Sequence, residues 1–134
     1  MSTIGATAKL ASFVVNTEYE DLPGQVIEKS VRAILDCLGV TLAGSGHPAS
    51  RIVQGYVAAA GGNPEARVLG TRDASSAAHA ALANGTAGHV LDFDDISWVA
   101  SGHPTVAILP ATLATAEQVG ASGRDFLTAF ALGF

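Results

Sequence analysis

The sequence predicts an all-α domain of about six helices. Apolar residues recur at three- and four-residue spacing through successive segments. Helix-start and helix-stop signals separate those segments, with Pro23, Pro48 and Ser122 at starts and Gly44-Ser45-Gly46 and Gly61-Gly62 at ends. Against them stands one short extended piece, Arg67-Val68-Leu69-Gly70.

Each element follows from its own residues. Residues 4 to 15 place Ile4, Leu10, Phe13 and Val14 at roughly helical spacing, which predicts a first helix. Residues 16 to 22 form a polar turn, and Pro23 suits the first turn of a second helix. Ile27, Val31, Ile34, Leu35, Leu38 and Leu42 make its main apolar stripe. Val26, Ala33, Cys37 and Val40 cover a neighbouring face, and a helix apolar over so much of its circumference is expected in a core. Pro48 opens a third helix carrying Ile52, Val53, Tyr56 and Val57. Asp73 or Ser75 is expected to cap a fourth, Ala-rich helix running to about Leu91. Thr105 to Val119 form a fifth, with Pro110 inside it as a candidate kink. Ser122 and Asp125 resemble a capping box that opens a sixth. That helix is still apolar at Phe126, Phe130, Leu132 and Phe134, with no stop signal. The expectation is that residues 1–134 are the truncated front of a longer chain.

Composition narrows the function classes. The chain has 134 residues, enough for one core. Hydrophobic residues are 49% and charged residues 14%, which excludes a disordered chain. So little charge predicts that much of the surface is covered by missing sequence or a second subunit. The net charge is −5 and the seven Lys+Arg are scattered singly, which argues against a nucleic-acid partner. The single cysteine, Cys37, excludes an internal disulfide and is expected to be a core thiol. The N-terminus lacks the pattern of a signal peptide, and no apolar stretch reaches membrane-spanning length. The expectation is a soluble, cytoplasmic protein with no membrane partner. There is no internal repeat, low-complexity tract or linker.

The chemistry-bearing residues concentrate between Asn84 and Pro110. Bare spacing favours structural roles for Asp92 and His103. Asp94 and Asp95 are expected to cap or terminate a helix by bonding backbone amides, with direct chemistry as the alternative. His89 stands three residues before Asp92, on the same face if the helix continues, and is expected to bond a carboxylate. His47 reads as a loop residue, and His79 has no special claim. Two decoys are set aside. Gly44-Ser45-Gly46-His47-Pro48-Ala49 fits a dinucleotide-binding pattern, but it follows a helix and Pro48 removes an amide. His89, Asp92, Asp95 and His103 could be drawn as a metal set, but lack the two His at i, i+4 of zinc motifs.

Several segments, taken together and in order, resemble the MmgE/PrpD family. They are Asp36-Cys37-Leu38-Gly39-Val40-Thr41-Leu42-Ala43-Gly44, then Arg67-Val68-Leu69-Gly70 followed by Ala77 to Asn84. The most specific is Asn84-Gly85-Thr86-Ala87-Gly88-His89-Val90-Leu91-Asp92-Phe93-Asp94-Asp95, closed by His103-Pro104-Thr105 and Leu109-Pro110-Ala111. The resemblance implies the front of a large all-α domain, with a smaller α/β lid absent, and a homodimer. It implies a lyase, 2-methylcitrate dehydratase-like, of the kind used in propionate metabolism. Such an enzyme dehydrates a small tricarboxylic acid by Asp/His acid–base chemistry, with no cofactor and no metal. Asp92 and His103 match the family's catalytic pair. Ser97 and His89 are the substrate-binding candidates. Ile96 and Ser97 stand where the family often has Thr, and the interval from Asp to His is about a residue longer here. Decarboxylation or epimerisation of a polycarboxylate stays open, as does an inactive fragment serving folding or dimerisation. Proton transfer beside carboxylates also needs cationic anchors, which this stretch lacks.

Overall fold

A computed structural model describes residues 5–99 and 101–134 of the chain. Ile4, which spacing puts at the head of the first helix, lies outside the described residues. The described chain is all-α, with six helices and a two-stranded ribbon. They are α1 Ala6–Asn16, α2 Gly24–Gly44, α3 Pro48–Ala60, β1 Ala66–Arg67, β2 Ala74–Ser75, α4 Ala77–His89, α5 Pro104–Val119 and α6 Gly123–Gly133. A single 3-10 turn, Tyr19–Asp21, joins α1 to α2. No described helix is long and apolar enough to cross a membrane.

The caps are set locally. Ser122 and Asp125 form the expected capping box, the Ser122 hydroxyl accepting from the Asp125 N–H and the Asp125 carboxylate accepting from the Ser122 N–H. Ser122→Ala is expected to lower stability by about 1 kcal/mol. Urea denaturation would measure it, and a loss below a few tenths would show that the box contributes nothing. At α4 the expected cap is corrected. Ser76, and neither Asp73 nor Ser75, caps the helix, its Oγ accepting from the His79 N–H at 3.4 Å. The extended piece at Arg67 takes Ala74-Ser75 as its antiparallel partner, so the helix begins only beyond the ribbon.

Helix α4 sits at the centre, packed by α2, α3 and α5. Its small residues allow this: Ala80, Ala83, Ala87 and Gly88 are all buried. Two apolar clusters form around it. Val57, Ala66, Val68, Ala80, Ala83 and Ala114 make one, and Ile34, Cys37, Leu109 and Phe130 make the other. Asn84 ties the ribbon to α4, its amide oxygen accepting from the Leu69 N–H at 2.8 Å and its NH2 donating to the Arg67 carbonyl at 2.9 Å.

The structure also corrects the buried face of α2. Spacing favours a stripe through Val31, Leu35 and Leu42, yet these are exposed. The helix instead buries Ser30, Ile34, Cys37, Thr41 and Gly44. Helix α2 is apolar on more than one side, so apolar content alone does not choose a face. Close approach chooses it. A Cβ on Gly44 would run into the Ala87 carbonyl oxygen, and one on Gly88 would lie 2.7 Å from Val106 Cγ2 and 3.0 Å from Thr41 Oγ1. No side chain fits at Gly44 or Gly88 where α2 meets α4, and the buried Thr41 hydroxyl bonds its own helix, donating to the Cys37 carbonyl at 2.7 Å. Helix α1 has no buried residue, and Leu10, Phe13, Val14 and Val15 stand exposed on it.

Candidate active site

The site is the connection between α4 and α5. Helix α4 ends at His89, with Val90 as its C-cap. Asp92 then takes a left-handed backbone, φ 54°, and its N–H donates to the His89 carbonyl at 2.9 Å. Aspartate tolerates this conformation better than most residues. The helix therefore does not continue, and the expected shared face of His89 and Asp92 is corrected. The chain folds back, and the carboxylate that meets His89 is Asp94.

Two further ties shape the connection. The backbones of Ser97 and Gly102 pair in both directions, Ser97 N–H to Gly102 carbonyl at 2.8 Å and the reverse at 3.2 Å. This closes the loop tip and returns the chain to His103, the N-cap of α5. Asp95 then anchors the start of α5, one carboxylate oxygen accepting from the Thr105 N–H at 3.1 Å and the other from its hydroxyl at 2.6 Å. Thr105 is fully buried, so this tie is shielded from water. The expectation that an aspartate of this pair caps a helix holds for Asp95. It fails for Asp94, whose partners are imidazoles.

His89, Asp92, Asp94 and His103 converge. His89 Nδ1 lies 3.1 and 3.0 Å from the two carboxylate oxygens of Asp94. His103 Nδ1 lies 3.3 Å from Asp94 Oδ2 and 3.3 Å from the Asp94 carbonyl. His103 Nε2 faces Asp92 Oδ1 at 3.6 Å. The two imidazoles meet edge to face, centroids 4.8 Å apart. The Asp94 side chain is 0% exposed, against 26% for His103 and 80% for Asp92. A buried carboxylate thus sits beneath two rings, and a solvent-facing carboxylate stands beside one of them. One ligand atom from each of the four residues lies within 4.8 Å of the others, a set that could close around a divalent cation. It differs from the set drawn from sequence by holding Asp94 in place of Asp95.

Of the residues singled out from sequence, Asp92, His103 and His89 come together, and Ser97 stands in the same loop as half of its closing bridge. Asp94 is the member that sequence reasoning passed over. Nothing in Asp94-Asp95 as a string separates the two, because their roles depend on which way each side chain faces after the turn at Asp92. His47 is a cap of α3, its Nδ1 accepting from the Ala49 N–H at 3.2 Å. His79 sits by the Gly61 carbonyl and the Tyr56 ring.

The site is rich in carboxylates and poor in cations. No Lys or Arg occurs between Asn84 and Pro110. Cys37 lies close enough to feel it. Burial pushes its thiol up to about 11, and the negative charges of Asp95, Asp94 and Asp36 add to this, while the Thr41 hydroxyl works the other way. Cys37 is accordingly a protonated core thiol at neutral pH and not a nucleophile. Around the loop, Phe93, Ile96, Trp98 and Val99 are exposed. A cavity of about 790 Å³ between α1, the 3-10 turn and α6 is lined by Val14, Tyr19, Arg124 and Leu132 among others, and by none of the four site residues.

The chain is 34% identical over 132 residues to cis-aconitate decarboxylase of Mus musculus and, at the same identity, to that of Homo sapiens. Each match covers 95% of this chain and 27% of the relative. It is 31% identical over 141 residues to cis-aconitate decarboxylase-like protein oryM of Aspergillus oryzae (strain ATCC 42149 / RIB 40), covering 96% of this chain and 28% of that protein. The chain thus spans about a quarter of the length of the curated relatives it matches. The profile of the MmgE/PrpD N-terminal domain matches residues 8–134, and the chain belongs to the MmgE/PrpD family.

Proposed function

We propose that this chain supplies the acid–base side of the active site of a lyase acting on a small polycarboxylate. The observation that carries this is the pair made by His103 Nε2 and Asp92 Oδ1, 3.6 Å apart on a face open to solvent. Dehydration removes a proton from carbon and delivers one to the departing hydroxyl. Decarboxylation delivers a proton to the carbon that loses CO2. An imidazole paired with an exposed carboxylate can serve either step. His89, half-exposed beside the His103 ring, and Ser97, in the same loop, are the proposed contacts for substrate oxygens.

The anchors for the substrate's carboxylates must come from elsewhere. The site's stretch from Asn84 to Pro110 holds no Lys or Arg, and the first amide of α5, bonded by Asp95, is not free for a ligand. Exposed Phe93, Ile96, Trp98 and Val99 beside it support a cover of further sequence or a second subunit. Between the two reactions, dehydration of a 2-methylcitrate-like substrate uses the pair as both base and acid. Decarboxylation of a cis-aconitate-like substrate is favoured by the names of the relatives.

The test is a substrate panel. A form carrying this domain together with the remaining family length is expected to consume 2-methylcitrate or cis-aconitate, with citrate as a control. No turnover of any of them would sink the lyase reading. The 134 residues alone are expected to show little or no turnover, and measurable dehydration by them would overturn the need for outside anchors.

A further inference from the structure

We infer that Asp94 is the positioning residue of this site, its buried carboxylate fixing both His89 and His103 as the Nδ1–H tautomer and so presenting Nε2 of each ring to the open face. The catalytic consequence rests on the proposed role of His103. The tautomer assignment does not.

The geometry leaves little choice. A carboxylate only accepts hydrogen bonds, and a neutral imidazole carries one N–H and one lone pair. Both Nδ1 atoms lie 3.0 to 3.3 Å from carboxylate oxygens of Asp94. A lone pair aimed at those oxygens would be repelled, in a place where no water reaches the carboxylate to soften it. Each Nδ1 therefore carries the hydrogen. For His103 the Asp94 carbonyl, also 3.3 Å away, is a second acceptor on the same side of the ring. The lone pair of His103 is then on Nε2, whose neighbour Asp92 Oδ1 is 3.6 Å away, beyond hydrogen-bond distance, on a carboxylate that is 80% exposed and screened by water. The opposite tautomer would bury the basic nitrogen against Asp94 and put a hydrogen where a proton has to be received.

The two adjacent aspartates thus divide the work. Asp95 holds the start of α5 through Thr105, and so fixes where His103 stands. Asp94 fixes how the His103 ring is turned and which nitrogen is free, and does the same for His89. One carboxylate orienting two imidazoles also couples them, since any shift of Asp94 moves both rings.

Long-range proton–nitrogen NMR of this chain, labelled with 15N-histidine and held at a pH where the imidazoles are neutral, reads the tautomer directly. The expected result is Nδ1–H for both His89 and His103, opposite to the preference of free imidazole. In Asp94→Asn the His89 signal is expected to move to Nε2–H or to an average of the two, because both acceptors of its Nδ1 are carboxylate oxygens of Asp94, whereas His103 keeps the backbone carbonyl. Wild-type His103 found as Nε2–H overturns the inference, whether or not the variant folds. An unchanged His89 tautomer in a folded Asp94→Asn chain overturns it as well. In a catalytically competent form, Asp94→Asn is expected to lower kcat by about 10²-fold or more with KM changed by no more than about threefold, as when an orienting Asp is lost from a triad. A loss carried by KM instead would overturn the positioning role. If no polycarboxylate is turned over, the lyase reading fails while the NMR result stands. If the tautomer is wrong, the substrate panel is untouched.

Discussion

His103→Ala is expected to lower kcat/KM for the polycarboxylate substrate by about 10²- to 10⁴-fold, the span typical of losing a general acid or base. That corresponds to about 3–5 kcal/mol of barrier. Asp92→Asn is expected to fall in the same range. Asparagine is the informative replacement, because it removes the charge while tolerating the left-handed backbone at φ 54°. Alanine there would mix a conformational penalty into the result. Neither change should unfold the domain, since the Asp92 side chain is 80% exposed and His103 belongs to neither apolar cluster. If the two residues act on one proton, the double variant should lose little more than either single one. The measurement is steady-state kinetics in a form with the remaining family length, with circular dichroism to confirm folding. Unchanged kinetics in both single variants would remove the site assignment.

Gly44→Ala and Gly88→Ala are each expected to destabilise the fold by about 1–3 kcal/mol, the usual cost of forcing a methyl into a packed contact. Ordinarily this substitution would favour a helix by up to about 1 kcal/mol, so the expected sign is opposite to intrinsic propensity. The contacts decide it. At Gly44 the new methyl meets the backbone of α4 at Ala87, which has no rotamer to give. At Gly88 it meets Val106 and Thr41, from α5 and α2 at once. Gly88 also directly precedes His89, so parting the three helices there shifts the ring above Asp94. Urea denaturation should show the midpoint falling by roughly 1 M at a typical slope. A midpoint that holds or rises in both variants would refute the close-approach account of why α2 buries its small, polar face.

The sequence by itself determined the number and order of the helices. Signals that act over three or four residues were legible: Pro48 opening α3, Ser122 with Asp125 opening α6, the apolar spacing of each segment. It also determined the family, because the Asn84 to Pro110 string is long and ordered, and it singled out Asp92 and His103. What it could not resolve was anything set by an approach between distant segments. The α2 stripe was misassigned because several of its faces are apolar, and the neighbouring α4 selects the one that lets Gly44 pass Ala87. The cap at Ser76 rather than Ser75 depended on a strand pairing with Ala66, across a turn that periodicity does not register. The site shows the same division most sharply. The residue types were readable, but one left-handed residue at Asp92 reverses the chain, sends Asp94 under two imidazoles and leaves Asp95 to bond Thr105. Those roles follow from side-chain direction after a turn, and direction is a property of the folded backbone that no count along the chain contains.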